Sequence, residues 1–408
     1  MFTGLFVVIV AIGIPVAALL YGTTSIVTPG LVLLLALPAG ALQAPLWVHY
    51  RSMDFVRQRT LQALDPVIGF VVAVGLAVAG AGYWAFVGAV LAGAWATAAG
   101  SVLFSPYRLR LRYERGTLRR YASFSWPLFV AGGAGVLTIQ AAMLGTTRHL
   151  GLAAAGAVAL AASVSQFTDR VDQIVSGTLY PAICAVRDRT DLLFESFVKT
   201  NRLSLMWAVP FGIGLALFAH DLVHLALGSR WVPAVPLLQA FGLIAAMAHL
   251  GFNWDGYFRA RGETRPVAVH GVVGMIAFLG AGLPLLLTQG LGGLAAGLAI
   301  AAGAMVCVRG VYLRRLFPGF AMVRHALRAI APTVPAAAVV LAARLAESGQ
   351  RTAGEALAEL AAYALVTVVA TLRFEGPLVR EALGYLRGGL SRRPAERSQT
   401  AASPNAQT

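Results

Sequence analysis

VAVHGVVGMIAFLGAGLPLLLTQGLGGLAAGLAIAAGAMVCV, residues 267–308, contains no Asp, Glu, Lys or Arg. A membrane-crossing helix needs about 20 mainly apolar residues, so the stretch is long enough for two. The glycines at 290, 292 and 293 place a tight hairpin between a span at 267–288 and one at 291–310. Outward from it, runs of the same kind lie at 4–21, 26–48, 66–80, 83–104, 124–146, 150–168, 203–219, 233–252, 326–344 and 355–372. The expected fold is an all-α, polytopic transmembrane helix bundle of about 12 spans. Pro15, Pro38, Pro127, Pro210, Pro284 and the Gly132, Gly133, Gly135 group predict bent helices, which a bundle tolerates because neighbouring helices satisfy the freed carbonyls.

Composition points the same way. The 408 residues are 58 % hydrophobic and 12 % charged, with a mean hydropathy of +0.74. A soluble domain needs more charged surface than that, and a single anchor would not supply so much apolar sequence. An outer-membrane barrel is excluded because the apolar residues run unbroken rather than alternating in ten-residue strands.

The net charge is +15, and Lys199 is the only lysine among 32 basic residues. Arginines cluster in every second loop: 51–59, 108–120, 170–202, 259–265, 309–328 and 373–397. Only Arg148, Arg230, Arg344 and Arg351 fall on the opposite side in a twelve-span count. Such asymmetry sets topology, placing the basic loops, the N-terminus and the tail in the cytoplasm. It accounts for the charge without a nucleic-acid partner. Cys184 and Cys307 lie far apart in or beside apolar runs and imply neither a disulfide framework nor a metal site, so no cofactor is expected. His220, Asp221 and His224 have a metal-like spacing, but their place at the outer end of a helix argues against it.

The first apolar run follows Met1 with no basic flank, and GAGYWAFVGAVLAG from Gly80 echoes GLGGLAAGLAIAAG from Gly290 at an offset of 210 residues. An internal repeat of six-helix units would leave the first unit two helices short. The expected organisation is a partial N-terminal lobe of four helices (1–104), a basic cytoplasmic linker (105–123), a six-helix lobe (124–310), two additional helices (311–373) and a mostly disordered cytoplasmic tail (374–408).

LQAPLWVHYRSMDFVRQR (42–59), LGLAAAGAVALAASVSQFTDRVDQIVSGTLYPAICAVRDRTDLLFESFVKTNRLSL (150–205), GSRWVPAVPLLQAFGLIAAM (228–247) and YFRARGETRP (257–266) resemble oligosaccharide flippases of the polysaccharide transporter type. That superfamily also contains multidrug exporters and the lipid II flippase. The resemblance implies a transporter, not an enzyme: two lobes around a polar cavity that carry an undecaprenyl-pyrophosphate-linked sugar repeat unit across the bacterial inner membrane by alternating access. Its implied partners are the lipid-linked oligosaccharide, membrane lipids and the polysaccharide polymerase machinery. A multidrug exporter of the same superfamily and a nonfunctional shortened member are the alternatives. A membrane-embedded glycan polymerase would need a large periplasmic loop, and the loops on that side are short.

In such a protein, polar side chains at membrane depth are the candidates for function, because they are costly unless paired or wet. Gln140 and Arg148 belong to one helix. Gln166, Asp169, Arg170, Asp172 and Gln173 cluster near the end of the next, where they form either an interfacial ion pair or part of the cavity; a following apolar stretch predicts a helix of over thirty residues there. Asn253, Trp254, Asp255, Tyr257, Arg259 and Arg261 form a second group. It reads either as an interfacial aromatic belt or as a vestibule where Arg259 and Arg261 meet the pyrophosphate and Trp254 stacks on a sugar. Asp169, Asp172 or Asp255 would carry a coupling proton or sodium ion.

Overall fold

A computed structural model of the chain describes residues 2–22, 24–107, 114–346 and 351–391. Every element among them is helical. The expected linker arginines 108, 110 and 112 and the expected disordered tail beyond 391 lie outside the described residues. The chain divides into two compact units, Met1–Arg120 and Tyr121–Thr408.

In the first unit α1 (Phe2–Tyr21) is followed by three short helices, α2 (Val27–Leu33), α3 (Ala36–Leu42) and α4 (Leu46–Arg51). The run 26–48 is therefore not one span. Pro29 and Pro38 sit in the first turns of α2 and α3, and Pro45 is the N-cap of α4. Proline fits a first turn but removes an interior hydrogen bond, so each one restarts the helix. α5 (Phe55–Gln62), capped by the Asp54 carboxylate, and α6 (Leu64–Val78) make one membrane-length element. Gly80 and Gly82, both at positive φ, turn the chain into α7 (Trp84–Leu103).

α8 (Arg115–Leu150) starts six residues before the second unit, which it opens from Tyr121 onward. α9 (Leu152–Ser165), a 3-10 turn and α10 (Arg170–Ala185) form a 34-residue element, as the apolar stretch beyond Asp172 predicts. α11 (Thr190–Asp221), α12 (Val235–Ala248), α13 (Trp254–Ala260), α14 (Arg265–Ala277) and α15 (Leu283–Leu316) follow. α14 and α15 lie in one 52-residue apolar element, broken where Gly290 takes φ +63°. Unbroken, it would be about 78 Å long, more than twice the hydrocarbon thickness of about 30 Å, and the break falls at the hairpin expected from the sequence. α16 (Met322–Ile330) and α17 (Val334–Ala346) are bent by 47°, and α18 (Ala353–Ser391) kinks at Glu375, two residues before Pro377. Residues 374–391, placed in the tail on sequence, are thus helical.

The chain is a multi-pass helical membrane protein, but its described helices do not establish twelve spans. Eight are long and apolar enough, nine if the bent pair counts as one, and Phe6–Leu19 and Val27–Leu42 are shorter. Large apolar side chains such as Val78, Phe86, Leu103 and Leu152 are exposed, a surface that lipid and not water can cover.

The second unit packs around Val223, Leu237, Leu238, Phe278, Leu286 and Leu294, joined by an aromatic cluster of Phe197, Tyr257, Phe258 and Phe317. α11 and α12 cross at Gly212 and Gly242. A Cβ at Gly212 would stand 2.3 Å from the Gly242 carbonyl oxygen, and one at Gly242 would stand 2.6 Å from that of Gly212. Backbone on both sides cannot yield, so Gly212→Ala is expected to cost about 1–3 kcal/mol. A clear fall in the thermal unfolding midpoint checks this; an unchanged midpoint would show that the helices separate at no cost.

Candidate functional site

The last carbonyls of a helix lack intrahelical donors. At the end of α12, where the chain bends through residues 249–253 into α13, two buried side chains supply them. Arg309 of α15, 4 % exposed, donates through Nη1 to the carbonyls of Ala248 at 2.6 Å and Leu250 at 2.7 Å, and its Nη2 lies 3.3 Å from His270 Nε2. Asn201 of α11 donates to the His249 carbonyl at 3.1 Å and accepts from the Gly251 amide at 3.1 Å; its Oδ1 also lies 2.7 Å from His325 Nε2. Asn253 donates to Thr200 Oγ1 at 2.5 Å, and Tyr257 Oη sits 3.0 Å from Ser196 Oγ and 3.3 Å from Thr200 Oγ1. Burial pushes the Tyr257 phenol up, so it stays protonated at neutral pH.

The acidic residues of the two sequence clusters meet at this bend. Asp169 Oδ1 lies 3.1 Å from His249 Nε2, within ion-pair distance but off the hydrogen-bonding direction. Asp172 is 3 % exposed, takes one hydroxyl, Ser176 Oγ at 3.3 Å, and lies within Coulombic reach of His249, Asp255 and Asp169. Arg309 is in turn within Coulombic reach of Asp172 and Asp255. Buried Arg309, buried Asp172 and His249 thus act on one another electrostatically around this bend, an arrangement able to exchange a proton or hold a small cation.

Other candidates are placed differently. Gln140, Arg148, Gln166, Arg170 and Gln173 are exposed, with the Arg170 guanidinium 5.3 Å over the Phe167 ring. Trp254 is neither belt nor sugar platform in this conformation. At 2 % exposure it packs against Phe258, His270 and Tyr312, which leaves no open ring face.

Arg259 and Arg261 line a cavity of about 690 Å³ with Arg187, Asp188, Thr190, Glu263 and Phe124. Arg259 pairs with Asp255 at 3.0 Å and stacks over Tyr180 at 5.2 Å. Arg187 was not singled out in the sequence, because it was one of many loop arginines.

A second ionic group joins α11 to α17 and α18. Asp221 takes Arg344 Nη2 at 3.0 Å and Arg351 Nε at 2.8 Å, while Glu359 pairs with both arginines. Both Asp221 oxygens pair with arginine, and the rings of His220 and His224 stack on each other at 3.9 Å. Two of the four arginines outside the basic loops are thereby neutralised. Arg344→Leu is expected to destabilise the protein by about 3 kcal/mol, because it leaves Arg351 alone to balance two buried carboxylates, and adding Asp221→Asn should restore part of the loss. Unfolding midpoints of the single and double variants check this; strict additivity would contradict it.

A family described as polysaccharide biosynthesis protein matches residues 1–236. Succinoglycan biosynthesis transport protein ExoT of Rhizobium meliloti (strain 1021) is 26 % identical over 196 residues, 48 % of this chain and 39 % of ExoT. Lipopolysaccharide biosynthesis protein WzxC of Escherichia coli (strain K12) is 27 % identical over 105 residues, 26 % of this chain and 21 % of WzxC. The matched stretch thus spans about two fifths or less of these curated relatives. In fold, the chain is similar to lipid II flippase MurJ in an inward closed conformation, with a TM-score of 0.58 over 93 % of this chain and 82 % of MurJ at 14 % identity.

Proposed function

Because the chain belongs to the polysaccharide biosynthesis protein family, we propose that it translocates undecaprenyl-pyrophosphate-linked oligosaccharide repeat units across the bacterial inner membrane by alternating access. A glycan carrying a diphosphate cannot enter hydrocarbon unaided, since each unpaired polar group costs several kcal/mol. The observation that carries the reading is the cluster of buried polar side chains at the α12–α13 bend, an arrangement an apolar bundle keeps at a cost. Asp172 is the group that takes up the coupling proton or sodium ion, with Asp169, His249 and Arg309 as its electrostatic partners.

The basic loops and both ends of the chain face the cytoplasm in this account, and residues 124–310 act as the six-helix lobe that carries the buried polar cluster. The product is the same lipid-linked glycan in the outer leaflet, where polymerising machinery consumes it.

Deleting the gene in its own host tests the proposal. Surface polysaccharide is expected to disappear while the lipid-linked repeat unit accumulates on the cytoplasmic side. Unchanged polymer with raised sensitivity to toxic small molecules would instead favour the exporter reading.

A further inference from the structure

We propose that the cavity between the 187–190 loop and the 259–263 turn is a docking site for a lipid diphosphate headgroup. The inference rests on the flippase reading and adds a specific recognition site to it. Arg187 comes from the turn after α10, Arg259 from α13 and Arg261 from the turn after it, so three arginines reach one cavity from two separate segments of the chain. A volume of about 690 Å³ falls within the range of small-molecule sites.

The arginines are incompletely used by their acidic neighbours. Arg187 meets Asp188 only through Nε at 3.6 Å, and Arg261 meets Glu263 only through Nε at 3.5 Å, both longer than a good hydrogen bond. Their terminal Nη nitrogens remain for the bidentate contact that phosphate oxygens favour. Arg259 is fixed by Asp255 and by the Tyr180 ring, and its Nε is buried without a hydrogen-bond partner. A fixed arginine flanked by two adjustable ones suits a ligand with two adjacent phosphates, and Thr190 adds a hydroxyl donor at the rim.

The carboxylates of Asp188 and Glu263 in the same lining repel a diphosphate, which keeps the site selective for a dense, doubly anionic group over the single charge of an ordinary phospholipid. They also provide a variant that should gain binding. Removing Glu263 frees Arg261 and lowers the repulsion.

The test measures binding of undecaprenyl diphosphate to the full chain in nanodiscs, with phosphatidylglycerol nanodiscs and inorganic pyrophosphate as the other probes. Arg187→Gln/Arg261→Gln is expected to weaken undecaprenyl diphosphate binding at least tenfold without moving the unfolding midpoint. Glu263→Gln is expected to tighten it two- to fivefold, a gain that misfolding cannot imitate. Inorganic pyrophosphate should compete and phosphatidylglycerol should not. Equal binding by the parent and the double variant would overturn the proposal, and so would competition by phosphatidylglycerol as strong as by pyrophosphate, which would mark a general interfacial patch. Translocation assays separate the two claims. A host glycan flipped equally well by parent and double variant removes the docking site and leaves the flippase; diphosphate bound through the arginines with no glycan flipped keeps the docking site and removes the flippase.

Discussion

Asp172→Asn is expected to reduce translocation by at least about a hundredfold while the protein still accumulates in the membrane. The substitution keeps size and shape and leaves an oxygen to accept from Ser176, 3.3 Å away. It removes the carboxylate that, in the proposed cycle, exchanges a proton or cation within Coulombic reach of His249 and Arg309. A transporter that cannot change the charge of its coupling group cannot link the gradient to the conformational cycle. A factor of 100 corresponds to about 2.7 kcal/mol, a modest sum for silencing such a step. The readout is polymer exported per molecule of membrane protein, alongside the unfolding midpoint. Full export by the variant would remove Asp172 from the mechanism, and a parallel loss of protein would assign it a purely structural role against Arg309.

The second large effect is expected at Arg309. Arg309→Met keeps much of the apolar stem but deletes the hydrogen bonds to the Ala248 and Leu250 carbonyls. It also removes a buried positive charge that acts on Asp172, while Asp255 keeps its ion pair with Arg259. Removing one member of a buried ionic group costs about 3–5 kcal/mol, and two stranded carbonyls add to it. The protein should therefore be recovered from the membrane in small amounts and with a lower unfolding midpoint. Combining Arg309→Met with Asp172→Asn should recover stability but not transport, because the double variant no longer buries an unpaired charge at Asp172. A single Arg309→Met variant as stable as the parent would show that other groups cap α12.

Much of this architecture was legible in the apolar runs. The hairpin at Gly290 and the long element through Asp172 both follow from where charges are absent. The broken run 26–48 was misread because a hydropathy window registers Pro29, Pro38 and Pro45 only as tolerable interruptions, whereas two first-turn prolines and one N-cap proline in succession restart the helix each time. Asp169, Asp172, Asn253 and Asp255 stood out because charge and amide groups are rare within apolar sequence. Nothing local showed that the two groups meet, since their contact runs through His249 and Arg309. Arg309 was counted among the topology-setting arginines, yet it follows more than forty uncharged residues and ends a predicted span, which was a signal of depth that positional counting passed over. Asn201, His270 and His325 had no such signal: each gains its role from a partner between 39 and 124 positions away. Trp254 shows the reverse error, because its residue type suggested an interface while its packing against His270 and Tyr312 buries it.

The most direct test places the purified full chain in liposomes containing lipid-linked oligosaccharide extracted from its own host, and follows the fraction of glycan that a membrane-impermeant glycosidase reaches from outside. The account predicts that the whole pool becomes accessible with the wild-type protein under an imposed ion gradient, and only the outer-leaflet half with Asp172→Asn or with no protein. Accessibility that stays at the protein-free level in the wild-type vesicles would contradict it.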